Sequence, residues 1–311
     1  MTQIKNNINT YADLTAYNAD LNKDYPNISY IQASDEVKWN KYDPDHIVCV
    51  YNVTSTSEAT KLLQVNNGIT YQIIDGVQQQ SIQMNYTFDT LGEHIVKYKF
   101  NGTYIDSQPL FYMCPNLVSV VIPETITRIN GPLFSSSTNL TNVVLPKTLT
   151  FIGERVFSYC TKLRTISIPE SVTSIGQAAF QSCSSLTSVT IGNGVTSIGN
   201  SAFSGCGGLS SVTIGNGVTT IGDAAFANLI NIRGNLVLPS TLTTLGNTVF
   251  NNMRNATSIT FLSTTPPTAG INVFENMGNI PIYVPAESVE TYKAATNWVT
   301  YADRIQAIPN S

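Results

Sequence analysis

Four cysteines recur at one position of a repeating pattern and are the first candidates for chemistry. Each follows a phenylalanine by three residues, and they are Cys114, Cys160, Cys183 and Cys206. Stacked thiolates could bind a metal ion or pair as disulfides. However, units about 4.8 Å apart hold the Cβ atoms too far apart for an unstrained disulfide. No histidine joins the set, and other units carry Ser137, Leu229 or Met253 at this position. We therefore predict buried free thiols and no metal site.

Two histidines, His46 and His94, are the only side chains that titrate near neutral pH in their unperturbed state. No serine stands in a G-x-S-x-G motif, and no recurring pair of carboxylates is placed to share a cleft. The sequence therefore predicts no catalytic residues, no cofactor and no enzyme activity. An enzyme hidden in residues 45–107 would lose its activity when either histidine is changed.

The triplet Gly192-Asn193-Gly194 could be read as part of a phosphate-binding loop. It recurs as Gly215-Asn216-Gly217, and neither copy is followed by the Lys-Ser or Lys-Thr pair of such a loop. Because Asn and Gly both tolerate positive φ, we interpret these triplets as turns.

The composition excludes further classes of function. Of the 311 residues only 12% are charged, and the net charge is −4, so no basic field is available to hold nucleic acid. No apolar run approaches the length of about 18 residues that a membrane helix needs. The first twenty residues, MTQIKNNINTYADLTAYNAD, lack the hydrophobic stretch of a secretion signal.

A repeat of 23 residues organises most of the chain. Leucine recurs at this spacing at Leu117, Leu140, Leu163, Leu186 and Leu209. Phenylalanine keeps the same period at Phe111, Phe134, Phe157, Phe180, Phe203 and Phe226, and Phe250 and Phe274 then follow at 24. No single unit can bury these side chains alone, so the units must stack into a solenoid.

The unit LTSVTIGNGVTSIGNSAFSGCGG, residues 186–208, shows how one repeat is built. Its L-x-x-V-x-I start predicts a strand with one apolar face, and residues 195–198 predict a second, shorter strand. Gly199 is expected to allow a sharp bend, and Phe203 to fill the core.

These units resemble the BspA-like (treponemal-type) leucine-rich repeats, which run L-x-x-I-x-I-P-x-x-V-T-S-I-G-x-x-A-F-x-x-C. The resemblance covers residues 108–279, with two departures: Asn130 replaces the glycine, and the unit that begins at Ile232 has one extra residue. It implies a strand-dominated leucine-rich repeat solenoid. Residues 280–311 resemble the C-terminal cap of such proteins, with a helical stretch in which Val289, Tyr292 and Ala295 share one face.

Two regions precede the repeats. Residues 45–107 alternate apolar and polar residues in short runs and predict a small β-rich module that resembles immunoglobulin-like or PKD-like β-sandwiches. Its Cys49 is predicted to be an unpaired strand residue. Residues 1–44 predict an arm or anchoring segment without a core of its own. Within the arm, residues 27–44 resemble leader segments of structural proteins of phages of gut Bacteroidales.

The outward positions of the longer strands form one surface, which we call the strand face. Over seven units, its side chains are expected to be small, rich in hydroxyl groups and nearly uncharged. Its residues are Ser119, Val121, Asn142, Val144, Thr165, Ser167, Ser188, Thr190, Ser211, Thr213, Asn235, Val237, Ser258 and Thr260. They are either ordinary solvent-facing positions or a binding surface for protein or glycan.

Together these features predict a non-enzymatic display and binding protein. The favoured setting is a phage virion appendage, a head or tail fibre on the virion surface. Residues 1–107 would then contact virion proteins, and the repeats would contact a host-surface protein or glycan. The alternative is a bacterial cell-surface adhesin of the BspA type that binds host matrix proteins. A dimer or trimer of the chain is possible in either setting.

Overall fold

The computed structural model describes residue 43 and residues 45–106 and 108–309. Apart from residue 43, the predicted arm lies outside these residues. The predicted strand-dominated solenoid is confirmed. In the array, longer strands alternate along the chain with strands of two residues, because each unit has one long and one short apolar run; the exception is the unit whose residues 165–168 form no strand.

The strands divide into three groups. The N-terminal module contains β1 (His46–Val53), β2 (Thr60–Lys61), β3 (Ile69–Ile74), β4 (Val77–Gln78), β5 (Asn85–Tyr86), β6 (Gly92–Phe100) and β7 (Tyr104–Ile105). The longer array strands are β8 (Leu117–Val121), β10 (Asn142–Val144), β13 (Ser188–Ile191), β15 (Ser211–Ile214), β17 (Gly234–Leu238) and β19 (Ala256–Phe261). The short ones are β9 (Arg128–Ile129), β11 (Phe151–Ile152), β12 (Ser174–Ile175), β14 (Ser197–Ile198), β16 (Thr220–Ile221), β18 (Thr244–Leu245) and β20 (Thr268–Ala269).

The N-terminal module and the array share one sheet. Its strand order is β10-β8-β1-β6-β3-β4, in which β1 pairs antiparallel with β8, the first long strand of the array. β2 and β5 form a separate two-stranded ladder. The ring of Tyr98 packs edge-on against Phe111 at a centroid distance of 5.3 Å. The module therefore shares its hydrophobic core with the array and covers the first repeat.

The short strands form a parallel sheet of eight, from β7 at one end to β20 at the other. β7 comes from the N-terminal module, so the module contributes to this sheet as well. The threonine that precedes each short strand from β9 to β18 donates its hydroxyl to the carbonyl of the equivalent threonine one unit earlier. Thr173 and Thr196 show this pattern, each with a distance of 3.1 Å. These hydroxyls add a second line of bonds between units.

A column of phenylalanine rings fills the interior. Neighbouring rings stack nearly parallel, with centroid distances from 5.1 Å (Phe180 to Phe203) to 6.1 Å (Phe226 to Phe250). The column contains Phe111, Phe134, Phe157, Phe180, Phe203, Phe226, Phe250 and Phe274, all buried. Each ring therefore depends on both neighbours for its packing.

The glycine that follows each short strand is required by close approach between units. Gly199 has no positive φ, so a left-handed conformation is not what requires glycine at the bend. A Cβ atom there would lie 2.6 Å from the carbonyl carbon of Gly176. Asn130, which replaces this glycine in the first unit, donates its amide to Asp106 at 2.9 Å.

The C-terminal cap covers the last repeat with two strands and three helical turns. Its elements are β21 (Ile282–Val284), a 3₁₀ turn (Ala286–Ser288), α1 (Val289–Ala294), a second 3₁₀ turn (Val299–Arg304) and β22 (Ile305–Ala307). Tyr292 and Trp298 are buried, and Trp298 packs against Phe274, the last ring of the column. The Trp298 indole N–H donates to the carbonyl of Pro267 at 2.9 Å. Val289 and Ala295 pack against the same core.

Candidate binding surface

The strand face is built by the alternation of side chains along the longer strands. In β13 and β15, Val189, Ile191 and Ile214 point into the core, while the residues between them point outward. The parallel register places Ser188 beside Ser211 and Thr190 beside Thr213. The repeat spacing therefore brings equivalent hydroxyl side chains into adjacent positions, as expected from the sequence.

The exposed part of this face is shorter than predicted. Its centre is solvent-exposed and consists of Ser167, Ser188, Thr190, Ser211, Thr213, Asn235 and Val237. Four residues toward the N-terminal end are half-buried: Ser119, Val121, Asn142 and Thr165. Val144, Ser258 and Thr260 are buried. These last three correct the prediction that every position faces solvent.

Neighbouring residues explain the burial of Ser258 and Thr260. Both hydroxyls donate to the Asn235 side-chain oxygen, at 2.9 and 3.0 Å. In the sheet, β21 of the cap pairs with β19 and places Tyr283 directly beside Thr260. The cap thus extends the sheet and narrows the accessible face at this end.

The face is also not one continuous sheet. Residues 165–168 keep the apolar side chains of the repeat in the core but form no strand, and β15 is not a ladder neighbour of β17. The second break coincides with the unit that has one extra residue, where Gly234 adopts a φ of +86°. The prediction of seven regular adjacent strands is therefore wrong at these two places.

Two arginines beside the face were missed by the sequence reasoning. Arg164 and Arg233 each directly follow the first apolar residue of a unit, and both are exposed. The same position holds Thr187 and Ser210 in the units between them. The signal was present in the sequence, because the position next to the repeat leucine is as periodic as the leucine itself. These two side chains place positive charge along one margin of an otherwise neutral surface.

The two histidines lie outside the array, and each holds a strand in place. His94 Nδ1 contacts Asp75 Oδ2 at 2.6 Å, and its Nε2 contacts the carbonyl oxygen of Thr90 at 2.9 Å and the hydroxyl at 3.3 Å. Asp75, His94 and the Thr90 hydroxyl follow each other in the order of the acid, base and nucleophile of a catalytic triad. However, groups of the same module occupy both ring nitrogens: the Asp75 carboxylate lies at Nδ1, and the carbonyl and hydroxyl of Thr90 lie at Nε2. The contacts tie the β3–β4 hairpin turn to β6.

His46 belongs to a charged cluster at the start of β1. Its Nδ1 contacts Asp43 Oδ1 at 2.8 Å, and its Nε2 contacts the hydroxyl of Tyr71 at 2.9 Å. Lys97 donates to the other oxygen of Asp43 at 3.1 Å. Burial alone would raise the pKa of Asp43. Hydrogen bonds from His46 and the Asp45 N–H, with the charges of His46 and Lys97, outweigh burial and hold that pKa well below its usual range.

The cysteines at the repeated position form a column of buried hydrogen-bond donors, which we call the cysteine column. The thiols of Cys160, Cys183 and Cys206 donate to the carbonyl of the phenylalanine 26 residues earlier, at 3.2, 3.1 and 3.0 Å. Ser137 makes the equivalent bond with its hydroxyl at 2.6 Å. All five cysteines are free and buried; burial was predicted for the four repeat cysteines, while Cys49 was predicted to be an unpaired strand residue. Within the described ranges, no group of three histidine, cysteine or acidic side chains could hold a metal ion.

We expect these thiols to resist alkylation until the chain unfolds. Burial raises the pKa of Cys114 to about 12 and also raises the pKa of Cys49, Cys160 and Cys183, so the reactive thiolate is scarce as well as inaccessible. Intact mass after N-ethylmaleimide treatment at pH 8 should show no label on the native chain and five labels in urea. A Thr190→Cys variant should gain one label when native. Labelling of the unchanged native chain would contradict the burial of the column.

The Asn-Gly turns contact the equivalent turns of the neighbouring units. The side-chain oxygen of Asn193 accepts the N–H of Asn216, the equivalent residue one unit later, at 2.8 Å. A Cβ atom at Gly194 or Gly217 would collide with the backbone of the preceding unit. The predicted turns are present, but none of their Asn and Gly residues has a positive φ, so glycine is required there by the close approach of backbones and not by a left-handed conformation.

Comparisons with known proteins place these features in context. The model of the BspA type leucine rich repeat region matches the chain in six copies over residues 103–233 and 234–296. No curated protein matches the chain. Across the part of the chain that the structure describes, no helix has the length and apolar character needed to cross a lipid bilayer.

Several solved structures are similar to the chain. The T. pallidum leucine rich repeat protein TpLRR is 27% identical over 63% of this chain and 75% of that one, with a TM-score of 0.44. A leucine rich cell surface protein from Faecalibacterium prausnitzii is 21% identical over 73% and 72%, with a TM-score of 0.49. A leucine-rich repeat protein from Bacteroides ovatus is 21% identical over 71% and 70%, with a TM-score of 0.38.

Proposed function

Because the chain belongs to the BspA-type leucine-rich repeat family, we propose that it is a non-enzymatic binding protein that presents its strand face to a protein or glycan on a cell surface. Members of this family are typically binding scaffolds at the cell surface or outside the cell. We call the solvent-exposed centre of the strand face the central strip, and we propose that it makes the contact. It consists of Ser167, Ser188, Thr190, Ser211, Thr213, Asn235 and Val237.

The observation that supports this proposal is the chemistry of the central strip. Ser188, Thr190, Ser211 and Thr213 are exposed and lie in register, and the side chains across the strip carry no charge. Serine and threonine lose little side-chain entropy when they are buried by a partner. Each hydroxyl both donates and accepts, which suits the hydroxyls of a glycan or the backbone of a protein.

Substitution of the strip should test its role directly. We expect the full chain to bind at least one member of an array of bacterial polysaccharides and extracellular-matrix proteins. A Thr190→Arg/Ser211→Arg variant should bind that member at least about tenfold more weakly, because two bulky charges would separate the surfaces, and tenfold is about 1.4 kcal/mol. Gln177→Arg, an exposed change at a turn, should leave binding unchanged. Equal binding by the unchanged chain and both variants would show that the strip is not the contact surface.

We further propose that the chain is displayed on a phage virion, with residues 1–107 facing virion proteins. The support is the resemblance of residues 27–44 to leader segments of phage structural proteins, and this segment lies almost wholly outside the described residues. The alternative is a bacterial cell-surface adhesin of the BspA type that binds host matrix proteins. Mass spectrometry of purified virions and of washed host cells should find the chain in the virions. Its presence only on the cells would select the adhesin.

A further inference from the structure

Most of the basic residues in the array lie along one edge of the units. Each unit contains a segment of four positions, from two residues before its first apolar residue to one residue after it. Along the array this segment holds no acidic residue, and its cations are Lys162, Arg164, Arg233 and Arg254. We call this edge the basic margin. The acidic residues of the array occupy other positions of the repeat, and they are Glu124, Glu154, Glu170, Asp223 and Glu275.

The four cations of the basic margin are exposed to solvent. Arg254 donates from Nε to the side-chain oxygen of Asn252. Within the part of the chain that the structure describes, none of the four forms an ion pair with a carboxylate. By contrast, Arg155 lies elsewhere in the array and pairs with Glu154 at 2.7 Å. The margin therefore has a local positive field, although the net charge of the chain is −4.

The stacking of the units sets the spacing of these charges. Arg164 and Arg233 occupy the same position three units apart, which corresponds to about 14 Å at about 4.8 Å per unit. Between them, the Thr187 and Ser210 hydroxyls donate to the carbonyl one unit earlier, at 3.2 and 3.1 Å. Duplex DNA presents one charge per about 1.7 Å of its axis, which is far denser than these cations. Their spacing suits a linear polymer that carries fewer charges.

An exposed aromatic side chain precedes two of these cations in the same unit. Tyr159 lies within six residues of Lys162 and Arg164, is 48% exposed, and adopts a φ of +60°. Two other units place Ser136 and Ser182 at this position. A left-handed conformation is unfavourable for a bulky residue, and a half-exposed ring gains little packing in return. The ring is therefore available to a ligand, and its apolar face suits the C–H face of a sugar.

We propose that the basic margin binds a linear acidic polysaccharide. A sugar ring lies on Tyr159, and its carboxylate or sulfate is bound by Arg164 and Lys162. Later acidic groups of the same polymer reach Arg233 and Arg254. Arginine can bind a carboxylate through two parallel N–H bonds, which makes such pairs strong and directional. The basic margin lies beside the central strip and uses different side chains, so this inference goes beyond the function proposed for the strip.

Binding of matched polysaccharides to the full chain tests this assignment. The probes are hyaluronan, polygalacturonate and chondroitin sulfate, each beside its carboxyl-reduced or desulfated form. We expect at least one acidic probe to bind at low salt, and its neutral form to bind at least about tenfold more weakly. Binding should be lost at about 1 M salt, where the screening length is about 3 Å. Failure of every acidic probe to bind would overturn the proposal, as would equal binding of polyglutamate.

Two double variants locate the binding site. Arg164→Gln/Arg233→Gln should bind the acidic probe at least about tenfold more weakly, because it removes two charge-assisted contacts. Arg128→Gln/Arg155→Gln removes the same net charge from exposed positions elsewhere in the array and should leave binding unchanged. Thermal unfolding should show that both variants are folded. Equal weakening by the two variants would assign binding to the total charge and overturn the site.

Tyr159→Ser tests the aromatic contact. Serine occupies the same position in two other units, so we expect the melting temperature not to fall. Binding of the acidic probe should weaken at least about threefold, because the sugar loses its stacking surface. Unchanged binding with a lower melting temperature would show that the ring is structural and would remove it from the site.

The variant of the central strip separates this inference from the proposed function. Thr190→Arg/Ser211→Arg should bind the acidic probe at least as tightly as the unchanged chain, because its added charges extend the positive field. If it loses that binding while Arg164→Gln/Arg233→Gln retains it, the strip is the contact surface and the basic margin is not.

Discussion

Replacing Phe203 with alanine is expected to lower the free energy of unfolding by about 3–5 kcal/mol, the usual cost of a large core truncation. The ring of Phe203 is buried and lies between two others, 5.1 Å from Phe180 and 5.6 Å from Phe226. Its removal opens a cavity that backbone bonds between the units prevent from collapsing. Among these bonds, the Phe203 N–H donates to Ala225 at 2.8 Å. Urea titration of the full chain measures the loss.

Thr190→Ala is the matched control for this substitution, because Thr190 lies in the same unit on the exposed strip. Its cost should stay within about 0.5 kcal/mol, as for most surface changes. If Thr190→Ala proved as costly as Phe203→Ala, the assignment of core and outer faces would be wrong. Hydrogen exchange should show the largest loss of protection in the units next to Phe203, because each unit contacts only its neighbours.

Gly199→Ala is expected to destabilise the chain by about 3 kcal/mol through overpacking. The added methyl group would lie 2.6 Å from the Gly176 carbonyl carbon and 2.7 Å from the Gln177 nitrogen. Both are backbone atoms, so the two units would have to separate. That separation would lengthen the bond from the Gly199 N–H to the Ile175 carbonyl, now 2.8 Å. Thermal unfolding with urea titration gives the magnitude.

Gly207→Ala distinguishes close approach from a general cost of losing glycine. A Cβ atom at Gly207 would have its nearest neighbour at 3.7 Å, on the side chain of Ile230, which is ordinary contact. Neither Gly199 nor Gly207 has a positive φ, so neither substitution introduces left-handed strain. We expect Gly207→Ala to leave stability nearly unchanged. Equal losses at the two positions would argue against a close-packed glycine column.

The array could be predicted from the sequence because its contacts are local and periodic. The leucine and phenylalanine columns have one period, and a period of 23 residues leaves only stacking as a way to bury both. The free, buried thiols followed from the same reasoning, since Ser137 and Leu229 share their column. The role of the repeated threonine in V-T-S-I-G did not follow, because its bond to the preceding unit requires a known register.

The ends of the array could not be predicted in the same way. Burial of Thr260 depends on a strand outside the repeat, namely β21 of the cap. The antiparallel pairing of β1 with β8 joins residues about 70 positions apart, such as Val48 and Val121. Nothing in the periodicity of either segment specifies that partner. The sequence therefore predicted a capped array, while the direction and register of the first cap strand required the structure.

The antiparallel cap strand has a consequence for self-association. The long strands of the array are parallel, and an open parallel edge is a template on which the last strand of another copy could continue the same stack. At the first unit, the edge of β8 is paired with β1, which runs in the opposite direction. The sheet then ends in β4, a strand of only two residues. At this end of the array the long strands therefore offer no open parallel edge on which another copy could continue the stack.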